Sequence, residues 1–119
     1  MRLAIIGSRE FDNYRQLEST MSRWFYDVEN NYLITEVISG NANGADKLGA
    51  QWAKENKIKL TEFLPDWKTY GKSAGFIRNV DIIKNCDMVL AFWNSVSKGT
   101  ASSLKLAKEQ KKPTLIIYF

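Results

Sequence analysis

The chain has 119 residues, 45% of them hydrophobic, with 17 basic and 13 acidic side chains, a net charge of +4 and no histidine. That is one domain with enough apolar material for a core, which excludes global disorder. The missing histidine removes Ser-His-Asp and Cys-His catalysis and the commonest transition-metal ligand, so neither a metal site nor a cofactor is expected.

No apolar run approaches the ~18 residues of a membrane span. Met1 to Gly7 is too short for a signal peptide and reads as the first strand. One cysteine, Cys86, forms no internal disulfide. Together these predict a cytoplasmic protein without membrane contact. The positive balance favours anionic partners.

Arg2 to Ile6 is an apolar run closed by Gly7, as in a buried strand. Tyr14 to Asn30 then places Leu17, Met21, Trp24, Phe25 and Val28 at helical spacing, with Tyr26 off that face. Ile34 to Ile38 reads as the second strand, closed by Ser39-Gly40. Asn43-Gly44-Ala45-Asp46 opens a helix to about Asn56, with Leu48, Trp52 and Ala45 inward. Ile58 to Leu64 is a partly alternating strand suited to a sheet edge, and Pro65 ends it. A long loop over Asp66 to Ala74 leads into a helix from Gly75 to Asn85, with Cys86 at its end as a buried, inert thiol. Asp87 to Trp93 is nearly continuously apolar, the profile of a central parallel strand. Thr100 to Lys111 is a helix with Leu104 and Ala107 inward. Lys105, Lys108, Lys111 and Lys112 crowd its end, where solvation and the helix dipole suffice to explain cations. Pro113 to Phe119 is the last strand.

Alternating strands and helices predict an α/β, Rossmann-like three-layer sandwich over residues 1–119, with helices on both faces of a five-stranded parallel sheet. The most apolar strands, first and fourth, belong at the centre, giving the order 3-2-1-4-5. Ligands of such sheets bind beyond the carboxyl ends of the strands, where strand order reverses. Tyr26 and Trp52 exceed what one face of a small sheet needs and point to a homo-oligomer contact.

The loops at that edge carry the chemistry. Gly7-Ser8-Arg9 allows a sharp turn and presents an arginine to a phosphate or carboxylate, or is a plain strand-ending turn. Lys98-Gly99-Thr100 begins a helix, where free N–H groups and the dipole attract phosphate and where Thr100 is also an ordinary cap. Asn43-x-x-Asp46 has capping-box spacing, and Asp46 equally suits ribose hydroxyls beside Ser39-Gly40 and Gly44. In the long segment, Trp67 and Tyr70 either stack on a base or pack beneath the loop, and Arg78 either meets a phosphate or anchors the segment. The dinucleotide fingerprint and the Walker lysine motif are both absent.

Gly7-Ser8-Arg9, Ser39-Gly40-x-Ala42-x-Gly44-Ala45-Asp46, Asp66-Trp67 with Tyr70-Gly71-Lys72-x-Ala74-Gly75-x-Ile77-Arg78-Asn79, and Gly99-Thr100-Ala101 resemble, in order and spacing, the SLOG superfamily in its YspA-like branch. The resemblance covers almost the whole chain. It implies a Rossmann-like fold and a nucleotide or nucleotide-derived ligand. It also implies a setting often found on phages and mobile elements, and a site including Gly7, Ser8, Arg9, Ser39, Gly40, Gly44, Asp46, Asp66, Trp67, Lys72, Arg78, Asn79, Lys98, Gly99 and Thr100. The superfamily includes LOG-type phosphoribohydrolases, DNA-processing proteins and nucleotide sensors. The phosphoribohydrolases carry Pro-Gly-Gly-x-Gly-Thr-x-x-Glu. Here the proline and double glycine are missing before Gly99-Thr100, and Ser103 replaces the glutamate. Binding or sensing therefore ranks first. Hydrolysis of an N-glycosidic or phosphoribosyl bond, with Asp46 and Arg78 as catalytic candidates and Asp66 as a substitute carboxylate, ranks second. Single-stranded nucleic-acid binding ranks third.

Overall fold

The computed structural model describes residues 1–26 and 33–119. Its elements are β1 (Arg2–Gly7), α1 (Tyr14–Phe25), β2 (Glu36–Ser39), α2 (Ala45–Glu55), β3 (Lys59–Glu62), α3 (Trp67–Tyr70), α4 (Ala74–Asn85), β4 (Met88–Trp93), α5 (Lys98–Glu109) and β5 (Thr114–Tyr118). The five strands form a parallel sheet in the order β3-β2-β1-β4-β5. This is the order expected from strand apolarity: β1 and β4 are buried through their middles, while β3 and β5 are the partly exposed edges.

Side chains alternate across the sheet and build two cores. On one face Leu3, Ile5, Val37, Leu90 and Phe92 meet Leu17, Met21 and Phe25 of α1 and Trp52 and Ala53 of α2. On the other face Ala4, Ile6, Ile38, Val89 and Ala91 meet Ile82 and Ile83 of α4 and Ala107 of α5. Leu104 is only partly buried beside that second core. Cys86 is buried there, and burial pushes its thiol pKa up, as expected of an inert thiol. At the far end of the sheet Asp87 accepts the Arg2 backbone N–H at 2.7 Å and pairs with its guanidinium at 3.1 Å, which pins β1 to β4.

Four local expectations change. Asp66 to Ser73 is helical. Asp66 caps α3 by accepting the Thr69 N–H at 3.1 Å, and Gly71, at φ +55°, breaks the helix into a short 3₁₀ turn that runs on into α4. Trp24 is 44% exposed: the inward stripe of α1 runs through Leu17, Met21 and Phe25, and Trp24 lies at its edge. Trp52 is only 4% exposed and is part of the first core, so only Tyr26, 45% exposed, remains of the predicted oligomer contact. The helix starting at Lys98 is capped by Ser97, whose hydroxyl accepts the Thr100 N–H, so Thr100 lies inside the first turn. The inward placement of Val28 and the helix end at Asn30 lie outside the described residues.

The layer spacing at α2 depends on Gly49. A Cβ there would lie 2.6 Å from Cγ2 of Ile5 and 2.8 Å from its Cβ, atoms of a branched core side chain that does not swing away. Gly49→Ala gains ~1 kcal/mol of helix propensity but incurs an overpacking cost of about 1–3 kcal/mol. The expected outcome is a lower midpoint in urea unfolding; a variant more stable than the parent would show that α2 lifts freely from the sheet.

Candidate functional site

The loops after β1, β2 and β4 meet at the carboxyl edge of the sheet, at the reversal of strand order. Ser8 joins them. It is fully buried; its N–H donates to Phe92 O at 2.9 Å, its carbonyl accepts from Phe11 N at 3.2 Å and Ala45 N at 3.4 Å, and its hydroxyl accepts from Asn94 N at 3.2 Å. Phe11 is anchored below, stacked on Phe92 with ring centroids 4.3 Å apart. Between these anchors Arg9 is exposed, with no hydrogen bond or ion pair to any described residue.

Asp46 is 6% exposed at the start of α2. The capping box does not form, because Gly44 is the N-cap, with φ +87° and room for no Cβ: one would lie 2.4 Å from Ser8 O. The cap is thus one residue later than the sequence suggests, and the Asp46 carboxylate turns back toward the β2 loop. It accepts from Ala42 N at 3.4 Å. Ser39 Oγ donates to Asp46 O at 2.9 Å and accepts from Asn41 N at 3.3 Å, which fixes the loop from beneath. Burial pushes the Asp46 carboxyl up to about 6, opposed by the Arg78 charge and by the N–H groups of Ala42, Gly40 and Gly7.

Arg78, on α4, donates from Nη1 to Gly40 O at 2.5 Å and from Nε to Asn79 Oδ1 at 2.8 Å. A Cβ on Gly40 would lie 2.7 Å from Asp46 Oδ2 and 2.8 Å from Arg78 Nη1, so the bare backbone lets both charges close in on the same turn. Burial lowers the Arg78 pKa, the Asp46 charge raises it and the Arg9 charge lowers it again.

The fourth wall is the start of α5. Asn94 Oδ1 accepts the N–H groups of Val96 and Ser97, each at 2.9 Å, and shapes the loop so that Ser97 caps the helix. The N–H groups of Lys98 and Gly99, in the first turn, have no acceptor among the described residues. Nothing lies within 4 Å of where a Gly99 Cβ would be.

Gly7, Arg9, Asp46, Arg78, Asn79, Gly99 and Thr100 thereby line one crevice of about 100 Å³. Gly40 and Trp67 line an adjoining chamber that shares Arg9 and Arg78. Of the other predicted site residues, Ser8, Ser39 and Gly44 hold the loops from below, Asp66 caps α3, and Lys72 and Lys98 lie off the crevice wall. Ala42, Ser97 and Ser103 also line the crevice; Ser97, with Ser95, counted in the sequence toward phosphate contact at this turn, and Ala42 only as part of the family motif. The serine-capped turn Asn94-x-x-Ser97 was the available signal for Ser97; Ser103 was noted only as the replacement for a glutamate. Trp67, Tyr70 and Phe76 are all more than half exposed or close to it along α3 and α4, so the segment presents aromatic rings to solvent.

A model of the YspA, cpYpsA-related SLOG family matches residues 1–70, which include the β1 and β2 loops of this crevice. The chain belongs to that family. As a SLOG domain it is associated with nucleotide-related ligand binding or processing. The Gene 61 protein of Mycobacterium phage D29 is 32% identical over 85 residues, covering 66% of this chain and 68% of that protein. No solved structure matches this SLOG chain. No helix among the described residues is long and apolar enough to cross a membrane.

Asp46 gives the site a pH signature. Its folded pKa of about 6 lies above the ordinary 3.8. A raised carboxyl stabilises the fold when protonated, and that contribution is lost as pH rises from about 4 through 6, by an amount on the order of 2–3 kcal/mol. Asp46→Asn should remove this slope. Urea midpoints of parent and variant compared between pH 4.5 and 7.5 test it; equal slopes would mean that Asp46 is ionised throughout.

Proposed function

We propose that this SLOG domain binds a nucleotide or nucleotide-derived ligand at the crevice, with its phosphate against the start of α5 and between Arg9 and Arg78. The observation that carries the reading is the convergence of free helix-start N–H groups, an uncommitted arginine and a held arginine on one small cavity at the switch point. Asp46 is within the same cavity to accept from ribose hydroxyls. The role that follows is sensing or sequestering a nucleotide in the cytoplasm, and the phage relative fits a mobile-element setting.

One observation favours turnover as a second reading. A buried carboxyl raised to about 6 beside an arginine suits proton transfer near neutral pH. The reaction would be hydrolysis of an N-glycosidic or phosphoribosyl bond, with Asp46 activating water to attack the anomeric carbon, the base leaving with a proton, and Arg78 holding the phosphate of the ribose 5-phosphate that remains.

Mass spectrometry of small molecules released from the denatured protein, followed by calorimetry with nucleoside monophosphates, tests the binding reading. Arg78→Ala is expected to weaken binding by about 1.5–3 kcal/mol, the worth of a charge-assisted hydrogen bond, while the fold survives. Gly99→Ala separates ligand from scaffold. Its Cβ meets no protein atom, so the fold should gain up to ~1 kcal/mol while phosphate affinity falls. Unchanged affinity in both variants would move the site elsewhere. For turnover, release of ribose 5-phosphate should vanish in Asp46→Asn with binding largely kept; a parent that releases none is a binder.

A further inference from the structure

Two chambers adjoin the Arg9–Arg78 crevice and share Arg9 with it. The first, about 310 Å³, lies over the loops after β2 and β3 and is lined by Asn41, Asn43, Leu64, Pro65 and Trp67 together with both arginines. The second, also about 310 Å³, lies over the loops after β1 and β4 and is lined by Arg9, Glu10, Asn94, Val96, Ser97 and Gly99. Arg9 is common to all three spaces. The central crevice, at about 100 Å³, holds phosphate and little else, whereas each chamber is near the ~300 Å³ lower bound of ordinary small-molecule sites.

From this arrangement we infer that the ligand carries its phosphate in the middle, as a phosphodiester or pyrophosphate joining two nucleoside-like groups, rather than at one end. The inference rests on the reading of the crevice as a nucleotide site. A terminal monophosphate would fill the centre and one chamber and leave the other unused.

The chemistry of the chambers differs, and each suits half of such a molecule. In the first, the Trp67 ring is seated over Gly75, where a Cβ would lie 3.7 Å from its Cη2, and is 57% exposed. A base stacks on that indole, with the amides of Asn41 and Asn43 at its polar edge. In the second, Glu10 offers a carboxylate to paired ribose hydroxyls, and Val96, 77% exposed, gives an apolar wall.

Positive backbone φ occurs beside both chambers. Among the described residues, four other than glycine have positive φ: Asn41, Lys57, Ser95 and Lys111. Lys57 and Lys111 each follow a helix end and are explained by its closing bonds, Ile58 N to Ala53 O and Lys112 N to Ala107 O, each 2.9 Å. Asn41 holds its turn with its N–H on Ser39 Oγ, and Ser95 lies in the turn that Asn94 Oδ1 closes on Val96 and Ser97. Asn41 lines the first chamber, and Ser95 lies between Asn94 and Val96, which line the second.

Calorimetry decides the matter with four probes for each base: the nucleoside 5′-monophosphate, the dinucleoside monophosphate, the pyrophosphate-bridged dinucleotide, and inorganic pyrophosphate as a base-free control. At least one bridged compound is expected to bind tenfold or more tightly than the monophosphate of the same base. Val96→Asp, whose side chain is in solvent and whose backbone bond to Asn94 is unaffected, is expected to abolish that ratio, and Trp67→Ala to weaken both members of the pair. Monophosphates that bind as tightly as every bridged compound, or a ratio that survives Val96→Asp, would overturn the inference while leaving the nucleotide reading standing. Failure of every probe to bind would overturn both.

Discussion

The crevice depends on the four hydrogen bonds of Ser8. Its N–H, carbonyl and hydroxyl tie the end of β1 to Phe92 and Asn94 of the β4 edge, to Ala45 at the start of α2 and to Phe11 in its own loop. Ser8 itself is fully buried, so a Ser8 polar group left without its partner costs about 1–3 kcal/mol. The close approach they require leaves no room for a side chain at Gly7, where a Cβ would lie 2.3 Å from Phe92 O, or at Gly44. A small hydroxyl and two glycines therefore bring three loops to one point, and Arg9 follows Ser8 directly into the space above them.

Electrostatics then decides what that space accepts. Asp46 and Arg78 approach the same turn around Gly40, and each is pulled from its ordinary pKa mainly by burial and only secondarily by the other. Arg78 is held by a backbone carbonyl and a neighbouring amide, so its direction is set before any ligand arrives. Pre-set direction lowers the ordering cost of binding. Arg9 is exposed and uncommitted, which suits a group that closes over an anion instead of waiting for it.

The central place of β1 and β4 was legible in the sequence because burial on both faces leaves a nearly unbroken apolar run; β5 carries such a run too, Leu115 to Phe119, yet lies partly exposed at the edge. The crevice was legible because glycine, serine and arginine cluster where strands end. Two readings failed for local reasons, and one residue, Ser8, has a scaffold role that its neighbours in sequence do not announce. Gly71 and Gly75 made the Asp66 to Ala74 segment look like a loop, yet the Asp66 cap starts a helical turn at Trp67, and the positive φ at Gly71 only interrupts it before the 3₁₀ turn that leads into α4. Asn43 and Asp46 have box spacing, but the φ that places the cap at Gly44 is a backbone property that spacing does not encode. Ser8 read as a ligand contact because it lies between Gly7 and Arg9; its place beneath the crevice follows from bonds to Phe92, Asn94 and Ala45, far away in sequence.

The glycines of the edge separate what the scaffold needs from what a ligand needs. At Gly7, Gly40 and Gly44 a Cβ would strike backbone or charged groups within 3 Å, so the fold alone accounts for them. Gly99 meets nothing and lies in a helix, where glycine is disfavoured by ~1 kcal/mol against alanine. A residue that weakens its own helix and touches no neighbour is not explained by the protein that contains it. Its N–H faces no acceptor among the described residues, and it lines both the central crevice and the second chamber. On the proposed reading, a phosphate close to the first turn of α5 would occupy the volume that a side chain at this position would fill, and Gly99→Ala puts that reading to the test.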